Sequence, residues 1–314
     1  MPDYNLRTAV TSPLPTLPRQ FLGMLLLASL ALPGFATDLD THFPPPLVGP
    51  IDPIDDTASK ALPEPSFEHQ VIELTNQERL DNGGLPPLKY HTSLGSAAET
   101  HSENMAVRDF FAHCDLDTKT SPGDRITTAG YSGAFISGEN IAAGQSTPEG
   151  VMDSWMNSSG HRANILRVTY CEIGVGYYLQ NNDQVNIRQD SNSDCNADGT
   201  YGFAFTRYWT QNFGCRSGVY PVVIDREAYA TDTPSVQLYL YGDGWAQEMR
   251  IRNTGDSWPA WQTFSSNVNW QLSAGNGTKT VEVELRNGST VRSASDSIVL
   301  AAEAGDPIFD DDFE

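Results

Sequence analysis

The chain is poor in basic residues and in cysteine. Of its 314 residues, 19 are Lys or Arg and 40 are Asp or Glu, a formal net charge of −21. Phosphate backbones and anionic lipid surfaces repel such a chain, so neither nucleic acid nor an electrostatically held membrane is expected as a partner. The four cysteines are Cys114, Cys171, Cys195 and Cys215, and no two are spaced C-x-x-C. That spacing argues against a thiolate zinc site and against a thioredoxin-type motif. No G-x-S-x-G elbow occurs either, so the serine hydrolase signature is missing. Past residue 32, no apolar run is long enough to cross a bilayer.

What is present begins with one short apolar run, Phe21 to Leu32, preceded by Arg19 and followed by Pro33, Gly34 and Ala36. This is the three-part plan of a secretory signal, with cleavage expected near Ala36. The expected location is secreted, periplasmic or at the cell surface, with no stable transmembrane segment after signal removal. An even cysteine count in an oxidising compartment predicts two disulfides. Cys171 and Cys215 flank the ends of an expected hairpin and are able to meet, but three pairings stay open.

Composition divides the rest. Residues 37–65 are rich in Pro and Asp and read as an extended linker. From 66 to 216 the apolar spacing is mostly helical, then strand-like. Phe67, Val71 and Leu74 share a helical face that Gly83-Gly84 ends. Leu94, Ala97, Ala98, His101 and Met105 follow a second 3.6-residue period. Arg125 and Ile126 fall in a short third helix. Ser146 and Glu149 form an S-x-x-E capping box, with Pro148 in the first turn, ahead of a stripe of Val151, Met152, Trp155 and Met156. "CEIGVGYYL" and "YGFAFTRYWTQNF" read as strands around a polar loop. From 218 to 302 the period is two, as in Val236, Leu238, Leu240 and Val281, Val283, Leu285, with hairpin turn signals between. This predicts an immunoglobulin-like β-sandwich with Trp245, Trp258, Trp261 and Trp270 in its core. Residues 303–314 are an acidic tail. The fold class is therefore α+β followed by an all-β module.

The chemistry-bearing residues cluster around one short helix. His113 follows "DFFA", Glu139 lies in "SGENIAAG" and His161 lies in "NSSGHRANIL". A helix of about ten residues is about 15 Å long, so both its ends can border one cleft. Gly-Glu-Asn and Ser-Gly-His-Arg read as two turns that bracket it. Two imidazoles and a carboxylate can share protons or bind a divalent metal. His101 sits on the apolar face of its helix and reads as a core residue. "DSNSDCNADGTYG" spaces oxygens like a calcium loop, but Cys195 and Tyr201 stand where an EF-hand needs Gly and Glu, so it reads as a solvated loop.

"LTNQERLDNGGLPPLKYHTSLGSAAETHSENMAVRDFFAH", "GENIAAG", "WMNSSGHRANIL", "IGVGYY" and "YWTQNFG" occur in this order. Together they resemble the CAP superfamily (cysteine-rich secretory proteins, antigen 5, pathogenesis-related class 1) in its bacterial secreted form. The resemblance covers residues 67–216 and implies an α-β-α sandwich with a central cleft. In many eukaryotic members two His and two Glu line that cleft and can hold zinc. Here His113 and Glu139 match, Ser158 and Tyr208 replace the other two, and His161 stands as in bacterial members. The resemblance implies a ligand-binding cleft of His113, Glu139 and His161 walled by Asn140, Tyr208 and Gln211. The residue types themselves suggest a divalent metal such as zinc on His113, His161 and Glu139. The implied function is a secreted binding protein for a lipid, peptide, metal or extracellular protein, with the β-sandwich as spacer or adhesion module. The alternative is a metal-assisted hydrolase using His113, His161 and Glu139, the last as general base. A third reading is a structural envelope protein.

Overall fold

The computed structural model describes Leu62 and residues 64–302. The expected signal segment, nearly all of the linker and the acidic tail lie outside the described residues.

Helix α1 (Phe67–Asp81) starts where Ser66 Oγ accepts the His69 N–H, and Gly83 and Gly84, both at positive φ, carry the chain away from its end. Strand β1 (Lys89–Tyr90) leads to α2 (Thr92–Val107) and β2 (Phe110–Phe111). Helix α3 (Pro122–Thr128) precedes strand β3 (Ala134–Ala143), then α4 (Pro148–Met156), α5 (Ser159–Ile165) and β4 (Glu172–Leu179). Two-residue strands β5 (Arg188–Gln189) and β6 (Gly199–Thr200) flank a loop before β7 (Arg207–Arg216). The α4 cap is Thr147, whose Oγ1 accepts the Gly150 N–H at 3.1 Å, one residue later than the expected Ser146 box. Pro148 at the first helical position demands a cap immediately before it.

One sheet runs in the order β1-β4-β7-β3, antiparallel except for the β1–β4 pair. Helix α2 lies on one face; α1, α4 and α5 cover the other. "IGVGYY" explains how. Ile173 and Val175 enter the α1/α4 core with Trp155, Trp209 and Phe213. Gly174 and Gly176 face α2 so closely that an added Cβ would lie 2.1 Å from the Gly95 and Glu99 nitrogens. Strand alternation thus places bulk on one face and bare backbone on the other.

The C-terminal region holds two further sheets. Strands β8 (Val222–Ile224), β9 (Ala230–Thr231), β10 (Ser235–Leu240) and β11 (Glu248–Asn253) precede β12 (Gln262–Thr263), β13 (Asn267–Gln271), β14 (Gly277–Asn287) and β15 (Thr290–Leu300). They pair as β13-β10-β8 and as β12-β11-β14-β15-β9. Val236, Leu238, Leu240, Ile251, Val281, Val283 and Leu285 share one buried cluster, the expected period-two core of a β-sandwich. Trp245 and Trp270 pack against it. Trp258 and Trp261 do not. They alternate with guanidinium groups in the stack Arg252–Trp258–Arg250–Trp261–Arg286, with spacings of 4.2, 4.8, 4.5 and 4.3 Å. Cation–π attraction on a polar sheet face outcompetes core burial for these two rings.

The turn Asp225–Glu227 joins the two regions. Its three residues sit at φ +40°, +60° and +71°, a backbone state that non-glycine residues adopt only when surrounding contacts enforce it. Arg226 Nη2 donates to Asn76 O at 2.6 Å, and Asn76 Nδ2 donates back to Arg226 O at 2.7 Å. Lys89 pairs with Glu227 and, at 2.7 Å, with Asp296. Tyr241 donates to Pro87 O.

Candidate functional site

Sequence neighbours Glu139 and Asn140 lie on β3, not in a turn. Glu139 is opposite Asn212 and Asn140 is opposite Gln211 on β7. Alternation sends their side chains to opposite faces. Gly138 is required by packing: a Cβ there would meet Tyr170 Oη at 2.1 Å. The Ser-Gly-His-Arg stretch is likewise not a turn but the first turn of α5. Because β3 is the edge strand, His113 and His161 reach one cavity past its free edge.

On the α2 face, Glu139 is 7% exposed. Its Oε1 accepts His113 Nδ1–H at 2.9 Å and its Oε2 accepts Arg125 Nη2–H at 2.6 Å. Arg125 also donates to His113 O at 2.8 Å and to Thr120 O at 3.0 Å. Burial alone would raise the Glu139 carboxyl pKa. The nearby imidazoles of His101 and His113 and the Arg125 guanidinium outweigh burial and hold it below the usual range. His113 is therefore anchored through Nδ1, with Nε2 left for the cavity. Burial, then the His113 charge, lowers the His161 pKa, so that ring is neutral at neutral pH. His101 is fully buried, as expected of a core residue; Nε2 donates to Ala112 O at 3.0 Å, and burial lowers its pKa to about 4.

The expected wall residues serve another purpose. Asn140, Tyr208 and Gln211 are fully buried and line no part of this cavity. Gln211 donates to Thr75 Oγ1 at 2.7 Å and accepts from Asn140, which donates to His161 O. Asn164 closes the network on Asn140 Oδ1 at 2.9 Å. These amides tie α1, β7, β3 and α5 together and so set the position of His161. Tyr208 donates to Asp183 Oδ2 at the far end of β7.

The cavity measures about 390 Å³. His113 and His161 line it with Phe111, Ile141 and Tyr201, and with Cys114 and Cys195, which form a disulfide. The second disulfide is Cys171–Cys215. Phe111, Tyr201, Phe203 and Phe205 form a continuous aromatic cluster beside it, and Phe203 is 56% exposed. Asp190 also lines the cavity but spends its oxygens on the Asp194 and Cys195 N–H groups.

The donor set does not fit the expected metal. Among the described residues, no three His, Cys, Asp or Glu side chains are placed to hold a metal ion. Both oxygens of Glu139 are committed, one of them to a cation. Arg125, the aromatic wall and the Cys114–Cys195 bridge were not foreseen as site features. Nothing local marks Arg125; only the tertiary fold brings it to Glu139.

Comparison with known proteins identifies the helical and first-sheet region. Residues 72–213 match the model of the family "CAP: Cysteine-rich secretory protein family". The chain is 45% identical over 112 residues to the uncharacterised protein YkwD of Bacillus subtilis, covering 36% of this chain and 42% of that one. It is 34% identical over 118 residues to the uncharacterised membrane protein YlbC of the same organism, covering 36% and 33%. It thus spans less than half the length of either relative. Among solved structures it is similar to an extracellular SCP-domain protein of Bacillus anthracis, with 28% identity, 48% and 40% coverage and a TM-score of 0.36. It is also similar to an outer surface protein of Borrelia burgdorferi, with 16% identity, 47% and 90% coverage and a TM-score of 0.35. Residues 72–213 of this chain form a domain of the CAP, or cysteine-rich secretory protein, family.

Proposed function

We propose that this chain is an extracellular binding protein that holds a small organic ligand in the cavity between His113, His161 and Tyr201. The carrying observation is the cavity itself: about 390 Å³, lined by two imidazoles and by the Phe111–Tyr201 aromatic pair. Concave sites with an apolar wall and a few convergent polar groups are what small ligands need. Lipids and peptides are the ligand classes that offer such a polar end and apolar body. Export is supported by the Phe21–Leu32 run ahead of Ala36 and by the two disulfides. YlbC is named a membrane protein; among the described residues here no helix is long and apolar enough to cross a membrane. The hydrolase alternative draws no support from the site, since Glu139 is locked between Arg125 and His113 and has no free oxygen to activate water. The test is native mass spectrometry of the full chain recovered from its producing cells. A retained small molecule is expected on the wild type and lost in Tyr201→Ala. Protein that retains nothing and binds nothing from a lipid and peptide extract contradicts the proposal.

A further inference from the structure

The two disulfides do different mechanical work. Cys171 and Cys215 flank strands that are already paired: Glu172 is opposite Gly214, and Cys171 N–H donates to Gly214 O at 3.0 Å. Breaking this bond frees no segment, because the backbone ladder holds both ends. Cys114–Cys195 spans a sequence separation of 81. Cys195 lies on loop 190–198 between the two-residue strands β5 and β6.

That loop forms one wall of the cavity, through Asp190, Ser193 and Cys195. Its own hydrogen bonds are mainly internal. Asp190 accepts from Asp194 and Cys195, and Asp198 accepts from the Ser191 N–H and hydroxyl. Lys119 Nζ ties its tip to the rest of the domain, at 2.6 Å from Cys195 O and 3.2 Å from Asn196 Oδ1. Lys119 is itself exposed, so solvent weakens that tie. Ser193 and Cys195 sit at φ +61° and +66°, a state that L-residues leave when released. The β5–β6 pair holds only the ends of the loop. Between them the disulfide is the tie of this wall to the rest of the domain that does not run through an exposed side chain, and both sulfur-bearing residues line the cavity through which a reductant would enter.

We propose that Cys114–Cys195 is a reducible latch on the cavity. A dithiol reductant cleaves it in the folded protein, loop 190–198 releases, and the cavity opens, while Cys171–Cys215 stays closed. A thiolate of the dithiol attacks Cys195 Sγ, the sulfur of the less buried residue, and the S–S bond breaks. Cys114 leaves as thiolate and takes a proton from water. The second thiol of the reductant, losing its own proton, then displaces Cys195, which is protonated in turn. The dithiol becomes a cyclic disulfide and the protein gains two thiols, a balanced two-electron exchange. Control of ligand retention by this latch rests on the binding function proposed above; the loop release does not.

The test treats the native full chain with dithiothreitol and traps thiols with iodoacetamide at timed intervals, with amide hydrogen exchange read in parallel. Cys114 and Cys195 are expected to be alkylated at least about tenfold faster than Cys171 and Cys215, because access controls exchange at equal chemistry. Amide exchange should rise in 190–198 and stay unchanged in β4 and β7. The Cys114→Ser/Cys195→Ser double variant should show the same exchange pattern without reductant. Alkylation of all four cysteines together, or wild-type exchange in 190–198 of the double variant, overturns the latch. Native mass spectrometry of the same samples separates the two ideas. A bound molecule lost on reduction supports both. Loop release from protein that never held a molecule supports the latch and contradicts the binding function.

Discussion

Arg125 Nη2 stands 2.6 Å from Glu139 Oε2 and, at 2.8 Å, donates also to the carbonyl oxygen of His113. One guanidinium therefore fixes both the carboxylate and the backbone of the imidazole that this carboxylate orients. Arg125 and Glu139 side chains are 7% and 2% exposed, so neither charge has water to fall back on.

Removing Arg125 strands a buried carboxylate. Arg125→Met should destabilise the protein by about 3–5 kcal/mol, the range for breaking one side of a buried pair. The double variant Arg125→Met/Glu139→Leu should recover a large part of that loss. Urea unfolding of the three proteins measures the coupling; additive losses would show that the pair is not a unit.

Glu139 also sets an acid limit. Its folded pKa is depressed by the flanking imidazoles and Arg125 against the opposing effect of burial. Its stabilising contribution is therefore full above the unfolded glutamate value of about 4.3 and fades as pH falls through the lower folded value. His101 acts at higher pH. Its folded pKa of about 4 lies below the unfolded value of about 6.5, so the unfolded chain binds more protons across that interval and stability drops as pH falls from 6.5 to 4. The full loss is about 3 kcal/mol. His101→Gln should flatten the curve between pH 6.5 and 4 and leave the steeper fall below it. Chemical denaturation at half-unit pH steps reads both; an unchanged slope in His101→Gln would contradict the assignment.

The junction of the two regions should respond in the opposite direction. Burial and the Asp296 charge, opposed by Lys89, push the Glu227 pKa up to about 8. A carboxyl raised in the folded state favours folding while it stays protonated, so its effect is full below about pH 4.3 and lost as pH rises toward 8. Glu227→Gln, which keeps the neutral shape, should gain thermal stability relative to wild type as pH climbs from 5 to 8. A difference that is constant over that range would show that Glu227 does not titrate there.

The helices and the period of the C-terminal strands were legible because local signals agree with the fold. Ser66, Gly83-Gly84 and the alternation of Val281, Val283 and Leu285 each act within a few residues. The α4 cap was misplaced by one residue because Ser146 and Thr147 are both good caps and only Pro148 decides between them. For the candidate site, the sequence indicated that three side chains meet but not how they meet. His113, Glu139 and His161 do converge, yet through an edge strand and a helix start instead of two turns, because a glycine can mark close packing, as Gly138 does under Tyr170, as readily as a bend. Asn140 and Gln211 were assigned to the cleft wall, but strand alternation turns them to the other face. Trp258 and Trp261 look apolar in sequence; their use as rungs between arginines depends on Arg250, Arg252 and Arg286 meeting on one sheet face.

The most direct test of the proposed ligand cavity is histidine ring-proton NMR of the full chain, titrated with sodium dodecanoate and, separately, with a short peptide mixture. His113 and His161 line the cavity and His101 is sealed beneath it. The expected result is that the His113 and His161 resonances move together and saturably with at least one organic ligand, while those of His101 stay fixed. The contradicting result is no saturable movement at His113 and His161 with either ligand class.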